Sequence, residues 1–269
     1  AVRRHSGGAP WVLRATIDPS THDPRDLLAH VAEMECEFTG HGNALLADWQ
    51  PDVIHAHDWM VAHAAVALRG RCRAPLTATI HATEAGRNRG WVTTDLSTAI
   101  HGIEWWLANT ADAVITCSRT MRDEVRTLFG IDSAYVLPNG IEPGAWTPRD
   151  PVPARGVFRV VSSMRLVRRK RPRALVDMMG LLRDRLPPGM RLRARILGRG
   201  TERDALRKLI SARGLQAEVE LCGRVTHEEM RDVYARSDVF VMPSLEESFG
   251  IAALEARAAG LPVVAMRDS

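Results

Sequence analysis

Short β-branched runs alternate with longer stretches of helical spacing along nearly the whole chain, the pattern of βαβ units feeding parallel sheets. In the first half this predicts strands over 11–15, 52–57, 76–81, 113–117 and 134–137, with helices over 24–47, 60–68, 97–109 and 119–128. From 138 to 156 the stretch PNGIEPGAWTPRDPVPARG breaks every period and reads as a linker. The scheme then repeats, with strands over 158–162, 193–197, 218–221, 239–243 and 262–266 and helices over 172–186, 202–213, 227–236 and 250–259. Thr226 followed by Glu229 has the spacing of a capping box for the third of these helices. The expected fold class is α/β with two Rossmann-like, doubly wound parallel-sheet lobes. The first lobe covers 1–140, the linker 141–156 and the second lobe 157–269.

Open α/β sheets bind ligands beyond the carboxyl ends of their strands. His57, His81, Ser118 and Asn139 follow such ends in the first lobe, and Arg165, Gly198, Gly223 and Glu247 in the second. The densest chemistry is PSLEESFGIAALEARAAGLP over 243–262, where Glu247 and Glu255 flank Ser248, Phe249 and Gly250 at the start of a helix. A small-residue turn running into a helix offers unpaired backbone N–H groups to an anion. Eight residues of helix rise about 12 Å, too far for the two acids of a glycoside hydrolase, which sit roughly 5–9.5 Å apart. One elongated ligand fits better: a nucleotide-diphosphate sugar, with sugar hydroxyls at Glu247, diphosphate on the amides of Ser248–Gly250 and ribose at Glu255. The plainer alternative is an Ala-rich amphipathic helix carrying two solvated acids.

Charge strengthens the anion reading. Residues 1–150 hold 13 Lys+Arg against 18 Asp+Glu, a balance of −5, and the remainder holds 23 against 14, a balance of +9. A basic second half suits a polyanion, including peripheral contact with an anionic membrane surface. Nucleic acid is not expected, since no recognition-helix, zinc-finger or aromatic RNA-binding signature occurs. Only two of the 36 basic residues are lysines, Lys170 and Lys208, and keeping a lysine within MRLVRRKR (164–171) suggests a need for a compact ammonium beside Arg165. No D-x-D triplet occurs, so a metal-bridged diphosphate is not indicated and no metal or cofactor is expected. His55 and His57 fall on one side of a strand with no third metal ligand in view, and a hydrogen-bonded His55 is the expectation. LGRGTER (197–203) lacks the third glycine of a dinucleotide fingerprint, and Gly198 reads instead as room for close donor approach. Four scattered cysteines without a CxxC read as buried free thiols of a cytoplasmic protein.

The spacing Glu247-x7-Glu255, the phrase ESFGIAALEA and the following AGLPVVA resemble the retaining glycosyltransferases of family 4, which have the GT-B fold. DVIHAHDW, HATEAGRNRGW, IHGIEWWL and YVLPNGI are similar to bacterial glycogen-synthase-like members, whereas the second half is closer to members acting on polyols or lipids. Against that family the chain is expected to be a fragment lacking both ends, with both lobes incomplete. The resemblance implies that Arg165 and Lys170 meet the donor diphosphate and that His81 lies near the reacting sugar. It also implies that Arg224 and Val225 flank the base, that Asn139 belongs to the donor side and that Glu84, Arg87 and Trp91 meet the acceptor. The implied activity is metal-independent, retaining transfer of a hexosyl unit from a nucleotide-diphosphate sugar to a glucan, sugar phosphate, lipid or polyol hydroxyl. A nucleotide-sugar epimerase of similar shape, or a non-catalytic nucleotide-sugar-binding remnant, are the alternatives.

Overall fold

The computed structural model describes residues 26–146, 148 and 156–267. The chain divides into two compact units, Ala1–Pro138 and Asn139–Ser269. The strand predicted over 11–15 lies outside the described residues.

In the first unit the strands β1 (Ile54–His57), β2 (Leu76–Ile80), β3 (Ala113–Thr116) and β4 (Tyr135–Val136) lie side by side in that order, every neighbouring pair parallel. Around them run helices α1 (Leu27–Leu45), α2 (Ala62–Cys72), α3 (Glu84–Arg87), α4 (Asp95–Thr110) and α5 (Arg119–Phe129). Strand β2, flanked on both sides, buries Leu76, Ala78 and Ile80 almost completely. That is the continuous apolar character of a covered parallel strand. Two polar devices fix the helices. Glu35 of α1, itself buried, accepts the His63 and Ala64 amides at the start of α2 and the His63 imidazole. Ser118 caps α5 by accepting the Met121 amide, and Gly130 (φ 74°) ends that helix in the left-handed region.

The second unit holds β5 (Val157–Ser163), β6 (Arg191–Leu197), β7 (Val219–Gly223), β8 (Val239–Met242) and β9 (Val263–Ala265). They form one parallel sheet in the order β7-β6-β5-β8-β9. Its helices are α6 (Pro172–Arg183), α7 (Arg203–Ala212), α8 (His227–Ala235) and α9 (Ile251–Ala258). Successive residues of β5 point to opposite faces. Val160 packs with Leu175, Met179, Leu206 and Ile210 of α6 and α7, and Val161 with Tyr234 and Ala256 of α8 and α9. The sheet is therefore wound in both directions from β5. The predicted capping box at α8 is present, with Thr226 and Glu229 each accepting the other's backbone amide.

Two expectations change. The stretch beginning at Pro138 is not a free linker throughout, because Trp146 is buried in the second core with its ring centroid 5.5 Å from that of Tyr234. Ile141 and Ala145 pack beside it. Proline and glycine break helical and strand periods, but they do not stop a large aromatic from seeking burial. The four cysteines are free, yet only Cys117 is buried: Cys72 and Cys222 are partly covered and Cys36 is exposed.

Candidate active site

The strand order of the second unit reverses between β5 and β8, the kind of switch point at which open α/β sheets bind ligands beyond the carboxyl ends of their strands. The loop after β5 carries Arg165 and Lys170, and the loop after β8 carries Glu247. The first loop is pinned by backbone bonds. Met164 N–H donates to Leu197 O (3.0 Å), Leu166 N–H to Arg199 O (2.8 Å) and Glu202 N–H to Leu166 O (2.9 Å). Leu166 is fully buried, so the loop cannot swing free of the core. The expectation that Gly198 admits the donor meets a different geometry. Gly198 (φ 126°) lies against the Met164 carbonyl and Gly200 against the Leu166 carbonyl, so closely that a Cβ on either would overlap that oxygen. These glycines let two loops touch, and the loop they support is the one bearing Arg165.

Beyond Arg165 the chain makes a 3₁₀ turn, Arg168–Lys170, and Arg171 (φ 54°) leads into α6, whose first residue is Pro172. This turn brings Lys170 Nζ to 2.5 Å from Glu247 Oε1, with both side chains mostly covered (12% and 17% exposed). Burial pushes the Lys170 ammonium below the usual lysine range, Glu247 pulls it back up, and the positive charges of Arg169 and Arg165 lower it further. Arg165, Lys170 and Glu247 are thus one electrostatic group. Neither α6 nor α9 has a side-chain cap at its amino end, whereas α8 has a full capping box. Gly250 (φ 79°) turns the chain into α9. Because α9 starts at Ile251, Glu247 stands before the helix, and the rise of about 12 Å expected for eight helical residues does not describe its separation from Glu255.

Glu255, half-buried on α9, is raised in pKa by burial, with His227 opposing. Its charge in turn adds to the burial that raises the Tyr234 phenol. Ser248 and Phe249 are half-buried beside Gly250, and the hydroxyl of Ser244 is buried without a hydrogen-bond partner. Arg224 is exposed, whereas Val225 packs against the cluster containing Trp146 and Phe240, so its side chain serves the core. Asn139 is half-buried at the start of the unit. A groove of about 490 Å³ lies elsewhere on this unit, lined by Arg159, Arg193, Arg195, Glu218 and Arg236 among others, and none of the expected site residues borders it.

In the first unit, His57 Nδ1 and His81 Nε2 share a hydrogen bond of 2.9 Å, and His55 Nε2 is 2.7 Å from Thr79 Oγ1. The His55 and His57 rings are 4.3 Å apart and those of His57 and His81 5.2 Å. His55 is hydrogen-bonded as expected, but a third histidine does join the row, supplied by the neighbouring strand's end. Burial lowers the His57 pKa, and the His55 and His81 charges lower it further against Asp58. Among the described residues no group of three His, Cys, Asp or Glu is arranged to hold a metal ion. Asp58 (φ 60°) takes a backbone conformation rare for a non-glycine residue and accepts the His81 amide at 2.8 Å. Its signal in the sequence is its place directly after β1, in HAHDW.

Glu84 and Arg87 lie on α3, a single turn capped by Thr83, with Arg87 Nη1 3.7 Å from Glu84 and 3.4 Å from Glu104. Glu104 is 1% exposed, and burial pushes its carboxyl up to about 7 against the Glu84 amide and Arg87. Sequence reasoning missed it, because inside the apolar helix IHGIEWWL nothing marks one glutamate as buried. Trp91 is largely exposed, Trp105 half-exposed, and the Trp106 ring lies tilted against that of His63 with centroids 5.0 Å apart.

Residues 31–145 match the family described as Glycosyltransferase Family 4, and residues 147–269 match Glycosyl transferases group 1. The chain is 40% identical to glycogen synthase of Mycobacterium tuberculosis, over 92% of this chain and 66% of that protein. It is 32% identical to D-inositol 3-phosphate glycosyltransferase of Pseudarthrobacter chlorophenolicus, over 80% of this chain and 54% of that protein. The chain thus spans between about half and two thirds of the length of these curated relatives. Among solved structures it is similar to sucrose-phosphate synthase from Thermosynechococcus elongatus, with a TM-score of 0.80 at 23% identity over 98% of this chain and 67% of that one. It is also similar to Anabaena HepE, solved in complex with UDP and glucose, with a TM-score of 0.69 at 21% identity over 90% of this chain and 65% of that one. These two likenesses establish the fold, and the family matches laid end to end establish the rest: the chain belongs to the family 4 glycosyltransferases of the GT-B fold.

Proposed function

We propose that the protein transfers a hexosyl unit from a nucleotide-diphosphate sugar to an acceptor hydroxyl, with retention of configuration and without a metal ion. The observation that carries this reading is the Lys170–Glu247 pair at the switch point of the second sheet, with Arg165 in electrostatic reach. A cation and a carboxylate held together there match a ligand that carries phosphate next to sugar hydroxyls. Bond cleavage leaves a nucleoside diphosphate, and fixed positive charge aimed at that growing anion lowers the barrier. Arg165 and Lys170 supply the charge, the uncapped amino end of α9 adds its amides, and these take the place a metal would fill. Glu247 accepts from the sugar hydroxyls once the ligand separates it from Lys170, and Glu255 accepts from the ribose. The leaving phosphate takes the acceptor proton as the new bond forms on the face that the old one leaves. The 40% identity to a glycogen synthase favours a glucan as acceptor.

Arg165→Ala is expected to lower turnover by about a hundredfold or more, the usual loss when a preorganised charge stabiliser is removed. Transfer assays on the intact enzyme with a panel of nucleotide sugars and a glucan primer test it. Wild-type turnover in the variant refutes the role of Arg165. Sugar released as an epimer without acceptor, or donor binding without any product, replaces the transferase reading altogether.

A further inference from the structure

The segment 81–88 of the first unit is held by carboxylates from three separate elements. His81 N–H donates to Asp58 at the end of β1, Thr83 Oγ–H to Glu124 of α5, and Glu84 N–H to both oxygens of Glu104 on α4 at 3.0 and 2.8 Å. Gly86 lies so close to the Glu124 carboxylate that a Cβ there would overlap it. Of the three acids Glu104 is the most enclosed, and it alone also reaches a side chain of α3, Arg87. Arg87 in turn faces Glu84, whose carboxylate accepts from Asn88 Nδ2 at 2.8 Å.

One turn of helix does not sustain itself in water, and a buried carboxylate is costly unless donors surround it. Each therefore depends on the other. Glu104 fixes where α3 begins through the Glu84 amide and fixes how Arg87 is aimed through the guanidinium. We propose that Glu104 is a positioning residue for the acceptor, acting through Arg87 and the turn that follows His81. This rests on the transferase reading together with the acceptor contacts that the family resemblance implies for Glu84 and Arg87.

Two variants separate positioning from simple support. Glu104→Gln keeps an oxygen for the Glu84 amide but presents no charge to Arg87, whereas Glu104→Ala removes both. In the intact enzyme, assayed well above pH 7 where Glu104 is ionised, Glu104→Gln is expected to raise the acceptor KM about fivefold to tenfold, the net worth of about one hydrogen bond, with the donor KM unchanged. Amide exchange over 83–88 stays near wild type in Glu104→Gln and speeds up about tenfold or more in Glu104→Ala. An unchanged acceptor KM in Glu104→Gln, or donor and acceptor KM rising together, overturns the proposal. Should the wild-type enzyme transfer to no acceptor, the transferase reading falls first. Exchange in Glu104→Ala then decides whether Glu104 holds the turn, and unaltered protection overturns that as well.

Discussion

Glu255 is the acid assigned to the ribose, and its ionisation governs that contact. Its carboxyl is raised by burial, and His227 only partly offsets this. An ionised carboxylate accepts two ribose hydroxyls, whereas a protonated one must donate at one oxygen. Glu255→Ala is therefore expected to weaken the bare nucleoside diphosphate as well as the nucleotide sugar, by about tenfold if one charged hydrogen bond is lost. Calorimetry with the bare nucleotide checks this, and equal affinity in wild type and variant removes Glu255 from the ribose. The sign of the pH effect follows. Because the folded pKa stands above the ordinary carboxylate value of 4.5, affinity falls as pH is lowered, and the fall begins at higher pH than for an exposed glutamate. The Ala variant lacks that acidic limb.

At the scale of elements, the alternation of apolar runs and helical spacing was enough to locate β1 to β9 among the described residues, mostly within two residues of their observed ends. Strands as short as β4 (two residues) and β9 (three residues) were placed not by a period of their own but as apolar runs set between longer helical segments, which are periodic. The same rule explains what was not legible. Helix α3 spans only Glu84–Arg87, too short for any period, and it exists because Thr83, Glu104 and Glu124 satisfy donors around it. The ion pair of Lys170 with Glu247 joins residues that are remote in sequence, so only their motif spacing hinted at a shared site. Gly198 was read as room for the donor, whereas it lies against the Met164 carbonyl, as Gly200 lies against that of Leu166. That contact makes a prediction at this scale. Gly200→Ala drives a methyl into Leu166 O, so the loop after β5 must shift or strain, at about 1–3 kcal/mol. Thermal unfolding of the variant should show a lower Tm, and turnover should fall with it because Arg165 moves with the loop. An unchanged Tm shows that the two loops part without cost.

At the scale of the whole molecule, each unit has its own parallel sheet and its own buried core. The positive balance falls after residue 150, in the half that contains Arg165, Lys170, Glu247 and Glu255. A nucleoside diphosphate without its sugar keeps the diphosphate assigned to Arg165, Lys170 and the α9 amides and the ribose assigned to Glu255. Its stabilising effect should therefore appear in the second unit. A ligand that binds only the folded state adds RT ln(1 + [L]/Kd), about 2.7 kcal/mol at a hundredfold excess over Kd. Hydrogen exchange followed by mass spectrometry, with and without saturating nucleotide, reads where that increment falls. Protection is expected to rise by about a hundredfold in β5, β6 and β8, whose amides open only when the sheet does, with little change in β1 to β3. Equal gains in both sheets would mean that the nucleotide draws as heavily on the histidine row as on the switch point. Gains confined to the first sheet would move the diphosphate away from Lys170 and leave the pair with Glu247 as a structural ion bridge.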